Sequence, residues 1–400
     1  MSDTHPAGTT GPANAATTAR APRTLAIDAL RGAVMVLMVL DHARSMYFGR
    51  AIEPTDMAVT TVALFLTRWV THYCAPVFVF LAGVSAFLYG ARHGSARVSR
   101  YLLTRGAWLV LLEVTVVRLG FVPDPTYRFT VLQVIWAIGW CFVVLAALSR
   151  LPRVAVLVVG AVIVGGHNLL DRFDALDHGS VDWLWSILHE PSLLEPLPGR
   201  RVYVGYPLLP WIGVICLGWS LGPWFARAAE ERRRWLVRLG LAAIALFVVL
   251  RAIDVYGDPD PWSVQSRGAA FTVLSFLNTH KYPPSLLYLA MTLGPALVAL
   301  AWLDRARLPA WLQPLLVFGR VPLFFYVAHL YLLRISSGIL AFAHFGPSAF
   351  EPPPGHAGSP AYPLWGAYLA WIVVVVALYW PCRWFARLKE RRADWWLGYL

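Results

Sequence analysis

Apolar residues run along this chain in blocks of roughly membrane length, separated by short polar connections. The most continuous blocks lie over 25–40, 131–148, 154–166, 236–250, 286–303 and 368–379. With their flanks, the pattern predicts helices near 25–46, 72–90, 102–119, 130–148, 154–169, 204–223, 236–253, 284–303, 315–335 and 364–383. An apolar run of about 20 residues matches the ~30 Å hydrocarbon core of a bilayer. Helices are one of the two structures that satisfy their own backbone there. The expected fold class is therefore all-α, a polytopic membrane helix bundle of about ten transmembrane helices. The amphipathic stretch 57–71 reads as an interfacial helix leading into the second span. Two connections, 170–203 and 254–283, are long and rich in Trp, Asp and Pro, which suits a lid or acceptor-binding vestibule. The remaining connections are too short for a soluble domain. No internal repeat is visible, which speaks against a secondary transporter.

Composition sharpens this picture. Hydrophobic residues make up 58% of the 400 and charged ones only 14%, against about half and about a quarter in soluble domains. The net charge of +12 does not point to nucleic acid, because the arginines are scattered between apolar spans rather than gathered on one face. They do set an orientation. With the N-terminus inside, most Lys and Arg fall in the cytoplasmic connections, as at Arg92–Arg105, Arg227–Arg238 and Arg383–Arg392. An even number of spans then leaves both termini in the cytoplasm, in a multi-pass protein of the cytoplasmic (inner) membrane. Residues 1–22, rich in Ala, Thr, Gly and Pro, read as a disordered cytoplasmic tail without a cleavable signal. The transmembrane domain is expected over 23–385, with a basic and aromatic cytoplasmic tail over 386–400. Cys74, Cys141, Cys216 and Cys382 are isolated in or beside apolar spans and read as buried structural thiols.

The first span carries the candidate chemistry. It contains Asp28, Arg31, Asp41, His42 and Arg44, and ionisable groups at membrane depth are costly enough to be functional candidates. Asp28 and Arg31 stand at i,i+3 and are placed to form a local ion pair. Eleven steps of ~100° bring Arg31 and His42 to within about 20° of one face, ~16 Å apart along the axis. One strip therefore offers a cation near the cytosol and an imidazole towards the outside. That layout suits a donor with an anionic head and a reactive group held at depth, on the scale of an extended pantetheine arm. His42 is placed to be a general base, or a nucleophile that carries the acyl group. Asp41 is a further catalytic candidate, since it or another group would orient the imidazole, although it lies about 100° round the helix and its bonding to His42 does not follow from adjacency.

The run Ile27-Asp28-Ala29-Leu30-Arg31-Gly32, followed by Met38-Val39-Leu40-Asp41-His42-Ala43, resembles the opening of bacterial proteins in the heparan-alpha-glucosaminide N-acetyltransferase-like family. The segments from Ala75 to Gly83, Lys281 to Ser285 and Gly319 to His329 agree with it. The arginine, ten residues, then histidine spacing is also similar to the first helix of bacterial membrane O-acyltransferases that modify surface polysaccharides. The resemblance implies an acetyl-CoA-dependent transmembrane acyltransferase, with acetyl-CoA as donor substrate and a glycan or other surface acceptor. The eukaryotic enzymes place their catalytic His after the first span. Here residues 43–71 hold none, and His72 is the nearest. The base is therefore His42 or His72, and the spacing from Arg31 favours His42.

Other polar residues fill out the expected site. His42, His72, His167 and His280 fall at or near outer span ends, with His329 deeper in the ninth. No two of these His stand at i,i+3 or i,i+4, so a metal site would have to be assembled from separate helices, and no metal is expected. Asn278, His280 and Lys281 precede Pro283-Pro284, where a helix start could hold an acyl oxyanion or a phosphate. His280 is thus a further catalytic candidate. Lys281 joins Arg31 and Arg320 as cofactor-binding candidates. Glu113 in the third span is expected to pair with an arginine, and Trp183, Trp185 and Trp262 are candidate sugar-stacking residues. The expected partners are the lipid bilayer, a small-molecule acyl donor and the acceptor; a homodimer is compatible with all of this. The rival classes are a transporter or flippase using a His/Asp proton relay, and a non-catalytic partner in glycan assembly.

Overall fold

A computed structural model of the chain describes residues 25–48, 52–173, 181–305, 308–347, 362–392 and 394–399. The tail expected over 1–22 lies outside the described residues. Helix α1 spans Leu25–Tyr47, and α2 spans Val62–His93 with a 3-10 turn at Thr71–Tyr73. Helix α3 covers Ser95–Leu112 and is prolonged by a π-turn at Glu113–Val117 and a last turn at Arg118–Phe121. Strand β1 (Phe129–Leu132) leads into α4 (Val134–Leu148) and α5 (Arg153–Gly166), the latter extended by a 3-10 segment at His167–Phe173. Next come α6 (Asp182–Leu188), β2 (Ser192–Leu197), β3 (Arg200–Val204), α7 (Leu208–Leu221) and α8 (Ala229–Ile253). The chain continues with α9 (Ala269–Leu277), α10 (Leu286–Leu303), α11 (Gln313–Arg320), α12 (Pro322–Phe345) and α13 (Leu364–Arg391).

The protein is an all-α polytopic membrane bundle. Among the described residues, seven helices, α2, α5, α7, α8, α10, α12 and α13, are long and apolar enough to cross a membrane by length and composition alone. Helix α4 is apolar but shorter, while α1 and α3 carry several ionisable side chains. Those side chains are tolerable because α1 sits inside the bundle, packed against α2, α10, α11, α12 and α13. The outer helices instead turn apolar side chains outwards, among them Val158 and Val162 on α5, Leu241 and Val249 on α8, and Ile372 and Val376 on α13. Apolar exposure on this scale marks a lipid-facing surface.

Two expectations change. The span predicted over 315–335 is split: α11 ends at Arg320, Val321 leaves helical geometry, and α12 starts at Pro322 and runs to Phe345. Proline lacks the N–H that would bond back into α11, so it ends one helix and opens the next. The interfacial helix expected over 57–71 begins only at Val62 and forms the first part of α2. Between Asp28 and Leu315 the backbones of α1 and α11 touch. A Cβ on Gly32 would strike the Leu315 carbonyl, and one on Gly319 would strike the Asp28 carbonyl. Glycine at both positions is what permits the crossing.

A three-stranded sheet of order β1-β3-β2, parallel between β1 and β3, braces the connections on one side of the bundle. Two fully buried arginines pin these segments by donating to carbonyls. Arg118 bonds Asp124 O at 2.6 Å and Phe129 O at 2.8 Å. Arg251 bonds Asp260 O at 2.7 Å and Asn278 O at 2.6 Å. At the opposite face, Arg105 and Trp108 of α3 donate to the carbonyls of Gly398 and Tyr399. Tyr362, just before α13, bonds the carbonyl of Tyr47 at the end of α1. The start of α1 and the end of α13 therefore lie on one side.

Candidate active site

Helix α1 organises the site from one end to the other. Near its start, Arg31 Nη1 donates to Asp28 Oδ1 at 3.2 Å and approaches the Gly319 carbonyl at 3.4 Å, while Nη2 donates to Ser85 Oγ at 3.0 Å. The guanidinium thus faces a cavity of about 330 Å³ that opens on the side holding the ends of α2 and α13. Arg105 and Lys389 join Arg31 on its wall, which is otherwise largely apolar and aromatic. Tyr326 of α12 also lines it; its hydroxyl is buried and has no hydrogen-bond partner.

A second, smaller cavity of about 30 Å³ surrounds His42 and is bordered by Asp41, Thr71, Cys74, Gln133, Tyr206 and Lys281. Met38, Phe78 and Val134 border both cavities. Arg31 and His42 therefore face two chambers separated by a wall of shared apolar side chains, about 16 Å apart along α1.

The His42 ring is held by another histidine. His42 Nδ1 lies 2.8 Å from His329 Nε2, and the two rings stack with an interplanar angle of 12°. His329 Nδ1 in turn lies 2.9 Å from the Phe325 carbonyl, which can only accept. With both rings neutral, His329 must carry its proton on Nδ1 and present a bare Nε2. His42 then donates Nδ1–H to it and keeps the Nε2 lone pair. This is the tautomer that a general base requires.

The remaining polar groups have other tasks. Asp41 does not orient the imidazole: it takes Arg68 Nη1 on both oxygens, at 2.8 and 2.6 Å, and Arg44 Nη2 at 3.1 Å. His72 is buried against Tyr288, with ring centroids 5.3 Å apart, and does not border the His42 cavity. His280 sits outside the spans with both nitrogens engaged, Nδ1 on Asp260 Oδ2 at 2.7 Å and Nε2 on the Tyr282 carbonyl at 2.9 Å. Both partners are acceptors, so this ring is bonded as an imidazolium. Burial alone would lower its pKa, but the Asp260 carboxylate outweighs that and raises it above the usual 6.5. The bond from His280 correspondingly holds Asp260 below 3.8, against the effect of its own partial burial. His280 is therefore a clamp on the loop that carries Lys281.

The family model for the catalytic domain of heparan-alpha-glucosaminide N-acetyltransferase matches residues 23–256. The chain belongs to this family. No curated protein matches it. Membership makes the chain a membrane transferase of the acetyltransferase class, and the matched stretch includes Arg31, Arg105 and His42. Lys281 and Tyr326, which line the chambers, and His329, which holds His42, lie beyond it.

Of the cofactor-binding candidates, only Arg31 reaches the larger chamber. Arg320 ends α11 and pairs with Glu390 at 3.2 Å, and Arg105 and Lys389 stand on the wall in its place. Lys281 belongs to the chamber of His42. Glu113 takes no arginine; its Oε2 accepts Trp136 N–H at 3.0 Å and so caps the start of α4. The contact of His329 with His42, and the places of Tyr326, Arg105 and Lys389, escape a reading of single helices because each of the four joins α1 from a distant segment. Their only sequence signal is that they are ionisable or hydroxyl-bearing residues within or flanking apolar spans.

Proposed function

We propose that this family member transfers an acetyl group from acetyl-CoA on the cytosolic side of the cytoplasmic membrane to a hydroxyl or amine of a glycan or other surface acceptor outside. The observation that carries the reading is the pair of chambers meeting at Met38, Phe78 and Val134, with a cation in one and an imidazole lone pair in the other. The nucleotide head of the donor lies at the mouth, near Arg31, Arg105 and Lys389, where phosphates gain charge-assisted hydrogen bonds. Its pantetheine arm fills the apolar chamber and brings the thioester to His42. Movement of Met38 or Phe78 side chains opens the shared wall.

The acceptor enters from the outer side, and His42 Nε2 takes its proton as the oxygen or nitrogen attacks the thioester carbonyl. His329 holds the ring through Nδ1. The Lys281 ammonium and the Tyr326 hydroxyl are the nearby donors for the tetrahedral oxyanion. Collapse expels the CoA thiolate, and the proton on His42 Nε2 passes to that sulfur, giving free CoA and the acetylated acceptor. A covalent acetyl-His42 would use the same lone pair. Acid quenching after labelled acetyl-CoA, without acceptor, separates the two routes by whether label stays on the protein.

The test of the base is His42→Ala in purified, reconstituted protein. Transfer to acceptor should fall by about 10²–10⁴-fold, the usual share of general acid–base catalysis, while acetyl-CoA still raises thermal stability. Parental turnover in a folded His42→Ala protein would sink the assignment.

A further inference from the structure

At the outer end of α5 the chain gathers a second group of imidazoles and a carboxylate, distinct from the two chambers. His167, Asp171 and His189 each offer one ligating atom, and the three atoms lie within 4.8 Å of one another. His189 Nε2 is 3.1 Å from Asp171 Oδ1. Asn168 Nδ2 donates to Asp171 Oδ2 at 2.8 Å, which turns Oδ1 towards the histidines. The Asn168 side chain is fixed in its turn, because its Oδ1 accepts the Leu286 N–H at the start of α10 at 2.9 Å. His167 and His189 are 1% and 0% exposed.

His167 is the unexplained member. Neither of its ring nitrogens makes a hydrogen bond of good geometry, although the Pro284 carbonyl lies nearby. Buried polar atoms in folded proteins are almost always satisfied, so an imidazole left this way, aimed at a carboxylate and a second imidazole, points to a ligand. Two imidazoles and one carboxylate are a donor set that suits zinc, which binds N and O at about 2.0–2.2 Å and takes four ligands in a tetrahedron. Tetrahedral ligands at that radius are about 3.4 Å apart. The His189–Asp171 separation of 3.1 Å is already close to this, and side-chain adjustment of at most about 1.4 Å brings His167 into place. The oriented carboxylate has the outer support that ligands in metal sites normally have. Asp171 remains part-exposed, with 18% of its side chain accessible, which leaves a way in for an ion and a position for water.

We propose that His167, Asp171 and His189 bind one zinc-type divalent cation, with water as the fourth ligand. The ion ties the 3-10 turn after α5 to the end of α6. Through Asn168 and Leu286 it also ties both to the start of α10, beside the loop that carries Lys281. This is an outer-face site separate from acyl transfer, and it reverses the expectation that no metal is involved. Histidine spacing alone hid it: the pair at i,i+4 is His167 and Asp171, and His189 arrives from another segment.

The test uses the full chain, purified in detergent with any histidine tag removed, loaded with zinc alone and dialysed. Elemental analysis should find about one zinc per chain. His167→Ala and Asp171→Asn should fall to background, and Asn168→Ala should bind about 10–100-fold more weakly. Equal zinc in the parent and in His167→Ala, or none in the parent, overturns the proposal. Should His167→Ala fail to fold, cobalt(II) added to the unaltered chain decides. An intense tetrahedral ligand-field band supports the site, and only the weak octahedral spectrum refutes it. None of these readouts depends on transfer activity.

Discussion

His42 has Nδ1 bound to His329 and lines the smaller cavity, which His329 does not, so the two histidines contribute differently. If His42 is the base, removing His329 leaves it present but free to rotate and change tautomer. His329→Ala should therefore reduce kcat by about 10²-fold with little change in KM for acetyl-CoA. His329→Gln, whose carbonyl can still accept from Nδ1–H, should recover part of the loss, and steady-state kinetics of the two variants checks this. At the loop, the His280–Asp260 pair makes stability depend on pH in a defined sense. His280 has a raised pKa in the folded protein, so its contribution is full below about 6.5 and is lost as pH rises through the folded value. Asp260 has a lowered pKa, so its contribution is present above about 3.8 and is lost as pH falls through the folded value. Thermal melting should therefore show a stabilising window between the two that Asp260→Asn removes.

Elements meet here where side chains are absent as much as where they are present. The α1–α11 crossing depends on Gly32 and Gly319, since a methyl group at either would enter the opposing backbone. Gly319→Ala should separate the helices and cost about 1–3 kcal/mol, the usual range for overpacking. Because the Gly319 carbonyl also borders the Arg31 guanidinium, the variant should weaken donor binding as well. Melting temperature and acetyl-CoA affinity, measured on the same preparation, report both effects. The π-turn of α3 places Glu113 at the start of α4, a departure from regular helix of a kind often found near functional sites.

For the molecule as a whole, the bundle places a chamber lined by Arg31, Arg105 and Lys389 and a chamber lined by His42 at different depths along one face of a central helix. If the larger chamber holds the anionic head of the donor, Arg31→Ala and Arg105→Ala should each raise KM for acetyl-CoA by about 10–100-fold, as expected for charge-assisted hydrogen bonds worth about 1.5–3 kcal/mol. Acceptor KM should stay nearly constant. A change confined to acceptor KM would reverse the assigned sidedness of the two chambers.

Much of the architecture was legible in the order of residues. The apolar blocks, the basic connections and the charged strip Asp28-Arg31-His42 follow from local spacing, since backbone satisfaction in lipid and a 3.6-residue period act over short distances. Pro322 also lay in plain view, yet its effect on the ninth span was missed because hydropathy averages across a helix break. The tertiary structure alone decided which of two histidines faces the site. It also decided that His329 rather than Asp41 holds the His42 ring, and that Arg105 and Lys389 rather than Arg320 stand beside Arg31. Each of these is a contact between helices far apart in the chain, and a side chain's role in lipid is set by the partner that relieves its burial, which neighbours in sequence do not specify.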